Sequence, residues 1–296
     1  MNVGRIVGKR TLAAAVAVLA LSAFMTGQAT TSPNDLVRRA VKNELNTDST
    51  MFMFRDQKDA SYGSQTKLIV QTKDAMAGMV IATDGKPLGP DRRQQEQARL
   101  NQLANDPAAL QHKQKREKED AEHVTRIMQA LPDAFLYEED GTEGGKPGVG
   151  KEGEELVRLK FRPNPNYDPP TRTEQVLTGM QGYMLVDAKK ERLARIDGTL
   201  FKDVGFGWGI LGHLDKGGRF IVEQGEVIPN HWAITHMHLD FSGKILLFKS
   251  LMIKSNEVYS DFRTVPANLT FAQGVELLKK HEETLAENRP ESRSSK

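Results

Sequence analysis

The stretch YMLVDAKKERLARIDGTL, Tyr183–Leu200, decides the fold. Tyr183 to Val186 is a short apolar run, and Arg192 to Leu200 mixes apolar and polar side chains at strand spacing. Asp187 to Glu191 between them is polar, and Asp187 brings turn chemistry. The pattern predicts a β-hairpin. The same grammar continues downstream, with strands expected at Arg219–Val227, Trp232–Phe241, Lys244–Ile253 and Glu257–Arg263. Short turns such as Ser242-Gly243 would join them into a meander.

Working upstream, the clearest alternation in the chain is at 157–162. Val157, Leu159 and Phe161 point one way, while Arg158, Lys160 and Arg162 point the other, as a half-buried strand requires. Pro163, Pro165, Pro169 and Pro170 then force an extended crossing outside any sheet. Three earlier strands are expected at Met51–Arg55, Lys67–Gln71 and Met79–Ala82, with turns at Ala60–Ser64 and Asp84-Gly85.

Helices bracket this β content. Ser32 can cap, Pro33 suits a first helical position and Asp35 meets the positive end of the dipole. Leu36, Val37, Ala40, Val41 and Leu45 recur at helical spacing behind them. Phe271 to His281 predicts a closing helix. Residues 91–131 are charged, rich in glutamine and free of glycine, and Asp106-Pro107 divides them into two helices. The centre of the second, Lys113 to Asp120, is charged throughout, whereas Val124, Ile127, Met128 and Leu131 form a stripe. Such a helix should stand clear of the domain at its centre and dock at its end. Asp140 to Glu155 reads as a flexible Gly, Glu and Lys-rich loop.

These elements add up to an α+β chain. Its core is a curled antiparallel β-sheet, a half-barrel, with N- and C-terminal helices and an inserted helical pair at 91–131. About ten strands are many for a flat sheet, so curling is expected. A curled sheet with helices across its mouth encloses a hollow, which is a physical route to ligand binding.

The ends and the composition set the compartment. Arg5, Lys9 and Arg10 precede an uncharged run, Thr11 to Met25, and Gly27-Gln28-Ala29 follows. Residues 1–29 therefore read as a secretory signal peptide cleaved before Thr30, because a membrane span needs about 20 apolar residues; the alternative is an uncleaved N-terminal anchor. The expectation is an exported, periplasmic protein with one domain over 30–285, a disordered charged tail at 286–296 and no membrane span after cleavage. The chain has no cysteine, which excludes disulfide scaffolding and thiol chemistry. A net charge of +2 argues against nucleic acid as a partner.

Three motifs resemble chemistry and fail on detail. Thr235-His236-Met237-His238-Leu239-Asp240 resembles the metal motif of the metallo-β-lactamase family, and His236 and His238 share one side of a strand. Phe241 stands where that family has its next histidine, and the only later histidine is His281. Gly145-Lys146-Pro147-Gly148-Val149-Gly150-Lys151 has phosphate-loop spacing, but Glu152 follows where Ser or Thr is needed. Gly207-Trp208-Gly209-Ile210-Leu211-Gly212 has dinucleotide spacing, but strands surround it and no βαβ unit does. No catalytic residue and no cofactor is assigned, and a metal-dependent hydrolase is a distant third reading.

The order of elements resembles the LolA-like superfamily of periplasmic lipoprotein carriers, which includes outer-membrane lipoprotein-sorting proteins and the RseB-type sensor domain. Met184-Leu185-Val186-Asp187 followed by Arg192-Leu193-Ala194-Arg195-Ile196 carries the likeness, with Ile245–Ile253 and Glu257–Phe262 matching the final strands in type. The resemblance implies a half-barrel whose apolar concave face binds a lipid, an acyl chain or a lipidated protein. Alternation offers Trp208, Phe220, Val222, Leu247 and Leu251 as lining residues. The alternative is an envelope interaction or sensor protein, with the helices at 91–131 docking a protein partner.

Overall fold

The computed structural model describes residues 32–46, 50–206, 212–245 and 249–287. The signal-peptide reading of 1–29 and most of the 286–296 tail lie outside these residues, as do Trp208 and Leu247. Residues 32–296 belong to one compact unit.

The fold is α+β. Helix α1 (Pro33–Leu45) precedes strands β1 (Met51–Ala60), β2 (Gly63–Val70), β3 (Ala77–Thr83) and the two-residue β4 (Lys86–Pro87). Helices α2 (Pro90–Ala104) and α3 (Pro107–Ala134) lead to β5 (Phe135–Gly144) and β6 (Glu155–Pro163). A short helix α4 (Arg172–Gln175) and a 3-10 turn (Val176–Gly179) carry the proline-rich crossing into β7 (Met180–Asp187) and β8 (Arg192–Leu200). Then come β9 (Val204–Phe206), β10 (Gly212–Leu214), β11 (Arg219–Ile228), β12 (His231–Ile245), β13 (Lys249–Val265) and helix α5 (Phe271–Glu287).

The thirteen strands form one open antiparallel sheet in the order β4-β3-β2-β1-β13-β12-β11-β8-β7-β6-β5, with β10 and β9 attached beside β12. The sheet does not close into a barrel. The chain leaves the sheet at one edge through β4 and re-enters at the other through β5, so α2 and α3 are the crossover between the edges and not an insertion within the sheet. Helix α3 has 28 residues, or about 42 Å at the helical rise. Ten steps between strands span about 48 Å when flat, so one helix suffices to cross the mouth of a curled sheet.

Local chemistry explains the helix starts. Ser32 Oγ accepts from Asp35 N at 3.1 Å, and Asp106 Oδ1 accepts from Ala109 N at 3.0 Å. Both caps stand one residue before a proline at the first helical position, where a missing N–H costs nothing.

Strand registers assign the two faces. Lys58, Glu257, Met237, Val222, Ile196, Met184 and Leu159 are successive cross-strand partners and share the concave face. One core fills the β5–β8 half of that face, where Leu159, Phe161, Met184 and Ile196 meet Val37 and Val41 of α1 and Leu131 and Ala134 of α3. A second core lies on the opposite face of the β1–β3 half. There Leu68, Val70 and Met79 pack against Phe271, Val275 and Leu278 of α5 and Leu100 of α2.

Several expectations need correction. Helix α3 docks at both ends: Leu110 packs on the second core and Leu131 on the first, while Lys118 to Val124 are exposed. It also continues through Pro132 to Ala134. Part of the expected loop at 140–155 extends β5, whose Thr142 to Gly144 pair with Val157 to Glu155. The remaining turn is tethered, since Gly150 N donates to Gln224 O at 2.9 Å and Thr235 Oγ1 donates to Gly148 O at 2.6 Å. Ser242-Gly243 is not a turn. Gly243 pairs with Leu251 inside a long hairpin, and a Cβ there would lie 2.1 Å from His213 O, so this glycine admits β10. The expected strand Lys244–Ile253 is therefore split between β12 and β13, and β13 runs on unbroken to Val265. Helix α5 reaches Glu287 instead of stopping at His281.

Candidate functional site

The concave face is filled by core on one half and open on the other. Over β1–β3, β13 and the start of β12 it leaves a cavity of about 1260 Å³. Strand β1 builds its floor because both faces of that strand are covered. Met53 turns to the second core, while Phe52 and Phe54 turn to the cavity. The run Met51-Phe52-Met53-Phe54 is the sequence sign of such a doubly covered strand. Phe54 stacks on Phe262 of β13 with centroids 5.4 Å apart and planes 21° apart, and Phe52 meets Phe262 edge-on at 5.9 Å. Ile69, Trp232 and Ile234 extend the apolar wall.

Lys113 and Glu117 of α3 roof the hollow, and α2, whose Leu100 and Leu103 pack on the second core, closes it along the β3 edge. Their position follows from the edge of the sheet. Strand β4 pairs only with Ala82 and Thr83, so the rest of the outer edge of β3 would be bare. Glu96 accepts from Val80 N at 2.9 Å, and Arg99 donates to Gly78 O at 3.0 Å. Glu117 accepts from Met76 N at 3.0 Å. These side chains pair the free edge and thereby hold the roof over the hollow.

Polar groups sit deep in the same cavity. Burial would lift Glu257, but hydrogen bonds from Lys58, Tyr259 and Ser255 outweigh it and hold its carboxyl below the usual range. Asp56, facing the cavity from β1, is pushed upward by burial and then by the charge of Glu257. Its Oδ1 is buried and accepts no hydrogen bond. Burial raises Tyr259 as well. At the end nearest α1, burial raises Glu44, although its Oε1 accepts from Leu193 N at 3.0 Å and from Gln224 Nε2 at 2.6 Å. The cavity thus joins an aromatic wall at Phe52, Phe54 and Phe262 to a lining rich in polar and charged side chains, among them Lys67, Arg99, Lys113 and Arg192.

Of the five expected lining residues, Phe220, Val222 and Leu251 are among the described residues. Phe220 and Val222 are on the concave face but in its packed half, where Phe220 lies against the first core. Leu251 pairs with Gly243 toward the far end of the hairpin, away from the cavity wall. None of the three lines the cavity. Phe52, Phe54, Ile69 and Phe262 do, and sequence alternation missed them because only the pairing of β1 with β13 brings them together.

His236 and His238 share the opposite face of the sheet. His236 Nδ1 lies 2.9 Å from Glu223 Oε2 and its Nε2 lies 2.8 Å from Asn256 Oδ1, so both ring nitrogens are occupied by protein groups. Glu223 continues to Arg195, which pairs with Asp197, and Arg158 and Arg195 both lie over the ring of Tyr183. This ladder is the polar outer surface of the sheet. No group of three or more His, Cys, Asp and Glu residues placed to hold a metal occurs among the described residues.

No protein-family model and no curated protein matches the sequence. Among solved structures, the chain aligns with a DUF1329 family protein from Desulfovibrio piger at 10% identity and a TM-score of 0.27. That match covers 83% of this chain and 97% of the other. No helix among the described residues is long and apolar enough to cross a membrane.

Proposed function

We propose that this chain is an exported, non-enzymatic binding protein that holds an acyl chain, a lipid or the lipidated end of a protein in the hollow beneath α3. The single observation that carries the reading is the cavity of about 1260 Å³ walled by Phe52, Phe54, Ile69 and Phe262. Sites for drug-sized ligands occupy roughly 300 to 1,000 Å³, so a long apolar chain has room. The leader-like residues 1–29 and the resemblance in layout to LolA-like carriers point the same way.

The test is native mass spectrometry of the protein purified gently from the envelope of its source, followed by organic extraction. A co-purifying lipid or acylated peptide is expected, together with uptake of an added fatty acid. Both should fall sharply in Phe54→Asp, with Tyr62→Ser, at an exposed position outside the cavity, as the folded control. A clean unliganded mass that stays unchanged with fatty acid overturns the reading.

The second reading, a docking role for the helical crossover, draws on the exposed centre of α3, where Val124 is 63% exposed. It predicts that charge reversal along Lys118 to Val124 abolishes capture of a partner without affecting fatty-acid uptake.

A further inference from the structure

The β12–β13 hairpin reaches past the sheet that supports it. Strand β1 pairs with β13 only from Ser255 to Val265, whereas β13 stays paired with β12 back to Lys249. Lys249 to Lys254 therefore project beyond β1 with one strand edge bare. On this projection Met252 is 71% exposed and Ile253 is 40% exposed. Successive residues of a strand point to opposite faces, so apolar surface is offered on both sides of the hairpin at once. Lys244, Lys249 and Lys254 are exposed around it. No acidic residue occurs between Ser242 and Ser255; Asp240 lies 3.9 Å from Lys254 Nζ, and Asp215 accepts from Ser242 Oγ at 2.7 Å.

We propose that this hairpin end, Lys244 with Lys249 to Lys254, docks on an anionic lipid surface. A protein groove would cover one face of the strand and leave the other apolar side chain wet. A membrane interface receives both, since Met252 and Ile253 can enter the acyl boundary while the lysine stems extend to the headgroups. Anionic headgroups supply counter-charge to Lys244, Lys249 and Lys254, of which Lys254 already lies 3.9 Å from Asp240. The same lysines discourage pairing of the bare edge with another strand, which leaves lipid as the occupant that satisfies charge and apolarity together.

The test is co-sedimentation with vesicles, using the chain without residues 1–29, which leaves the compact unit from Ser32 onward whole. Binding to mixed phosphatidylglycerol and phosphatidylcholine vesicles is expected, with little binding to phosphatidylcholine alone and loss at high salt. Replacing both lysines in Lys249→Gln/Lys254→Gln should weaken binding by on the order of 25-fold, at about fivefold per lysine. Met252→Ser/Ile253→Ser should weaken it by about tenfold or more, with the circular dichroism unchanged because both side chains are exposed. Equal binding to neutral and anionic vesicles, or hairpin variants that bind like the parent, overturns the proposal. Phe54→Asp separates this question from the cavity, since it should lose fatty-acid uptake and keep vesicle binding.

Discussion

Asp56 and Glu257 face one hollow from neighbouring strands, and their surroundings pull their proton affinities in opposite directions. Glu257 has three donors, Lys58 at 2.6 Å, Tyr259 at 2.6 Å and Ser255 at 2.7 Å. Asp56 has a buried oxygen with none and feels the charge its neighbour keeps. The arrangement fixes Glu257 as the structural ion of the cavity and leaves Asp56 as the group an incoming ligand can satisfy. An unmet buried acceptor is costly to the empty protein, and a ligand hydroxyl or amide that donates to it would recover part of that cost.

The two carboxyls therefore predict opposite dependences of stability on pH. Asp56 is raised in the fold, so relative to a neutral side chain it lowers stability as the pH rises above its ordinary 3.8. Asp56→Asn should raise the melting temperature at pH 7, and that gain should vanish toward pH 3. Glu257 is depressed, so its contribution is present above its ordinary 4.5 and is lost as the pH falls through its folded value. Glu257→Gln should lower the melting temperature most at pH 7, and the gap should close in acid. Melting curves of both variants between pH 3 and 7 check the signs, and parallel profiles would refute the assignment.

The pairing of the β3 edge by side chains carries its own prediction. Glu96→Ala removes the acceptor of Val80 N and the ion pair to Arg99 at 2.7 Å. The expected loss is about 1 to 2 kcal/mol in urea unfolding. The variant should also self-associate, because the bare edge becomes a template for another strand. Light scattering that stays flat while stability falls would show that α2 shields the edge without Glu96.

Much of this fold is written locally. The hairpin at Asp187 forms because Asp187 Oδ1 accepts from Lys189 N at 3.0 Å and Lys190 N at 2.9 Å, the turn chemistry its side chain brings. Ser32 and Asp106 likewise cap where their sequence neighbours place them. Strand β5 is illegible for the opposite reason. Glu138-Glu139-Asp140-Gly141 has poor strand propensity; Glu138 and Glu139 are held by pairing with Lys160 and Leu159 of β6, and Asp140-Gly141 form a bulge with Gly141 at φ 87°, tied by Lys160 and Arg158 reaching Asp140 at 2.6 and 3.1 Å. The cavity wall is the hardest part to read. Phe54 and Phe262 meet only through a pairing that joins the first strand to the last, and periodicity within a strand carries no information on its distant neighbour.

The crossover helix α3 is anchored at both ends and bare between them, which predicts uneven stability along its length. Leu110 and Leu131 mark the two docked ends, while Lys118 to Val124 have no buried side chain. Amides at the centre should exchange with solvent through local opening, faster than those of Ala130 to Ala134. Ala121→Gly costs about 1 kcal/mol of helix, which should accelerate exchange across the centre about fivefold while leaving the melting temperature nearly unchanged. If the centre opens only with the whole domain, the same substitution would lower the melting temperature and speed exchange along the entire helix alike. The first outcome makes α3 a strap that can part over the hollow while both cores stay folded, which is the motion a large ligand needs to enter.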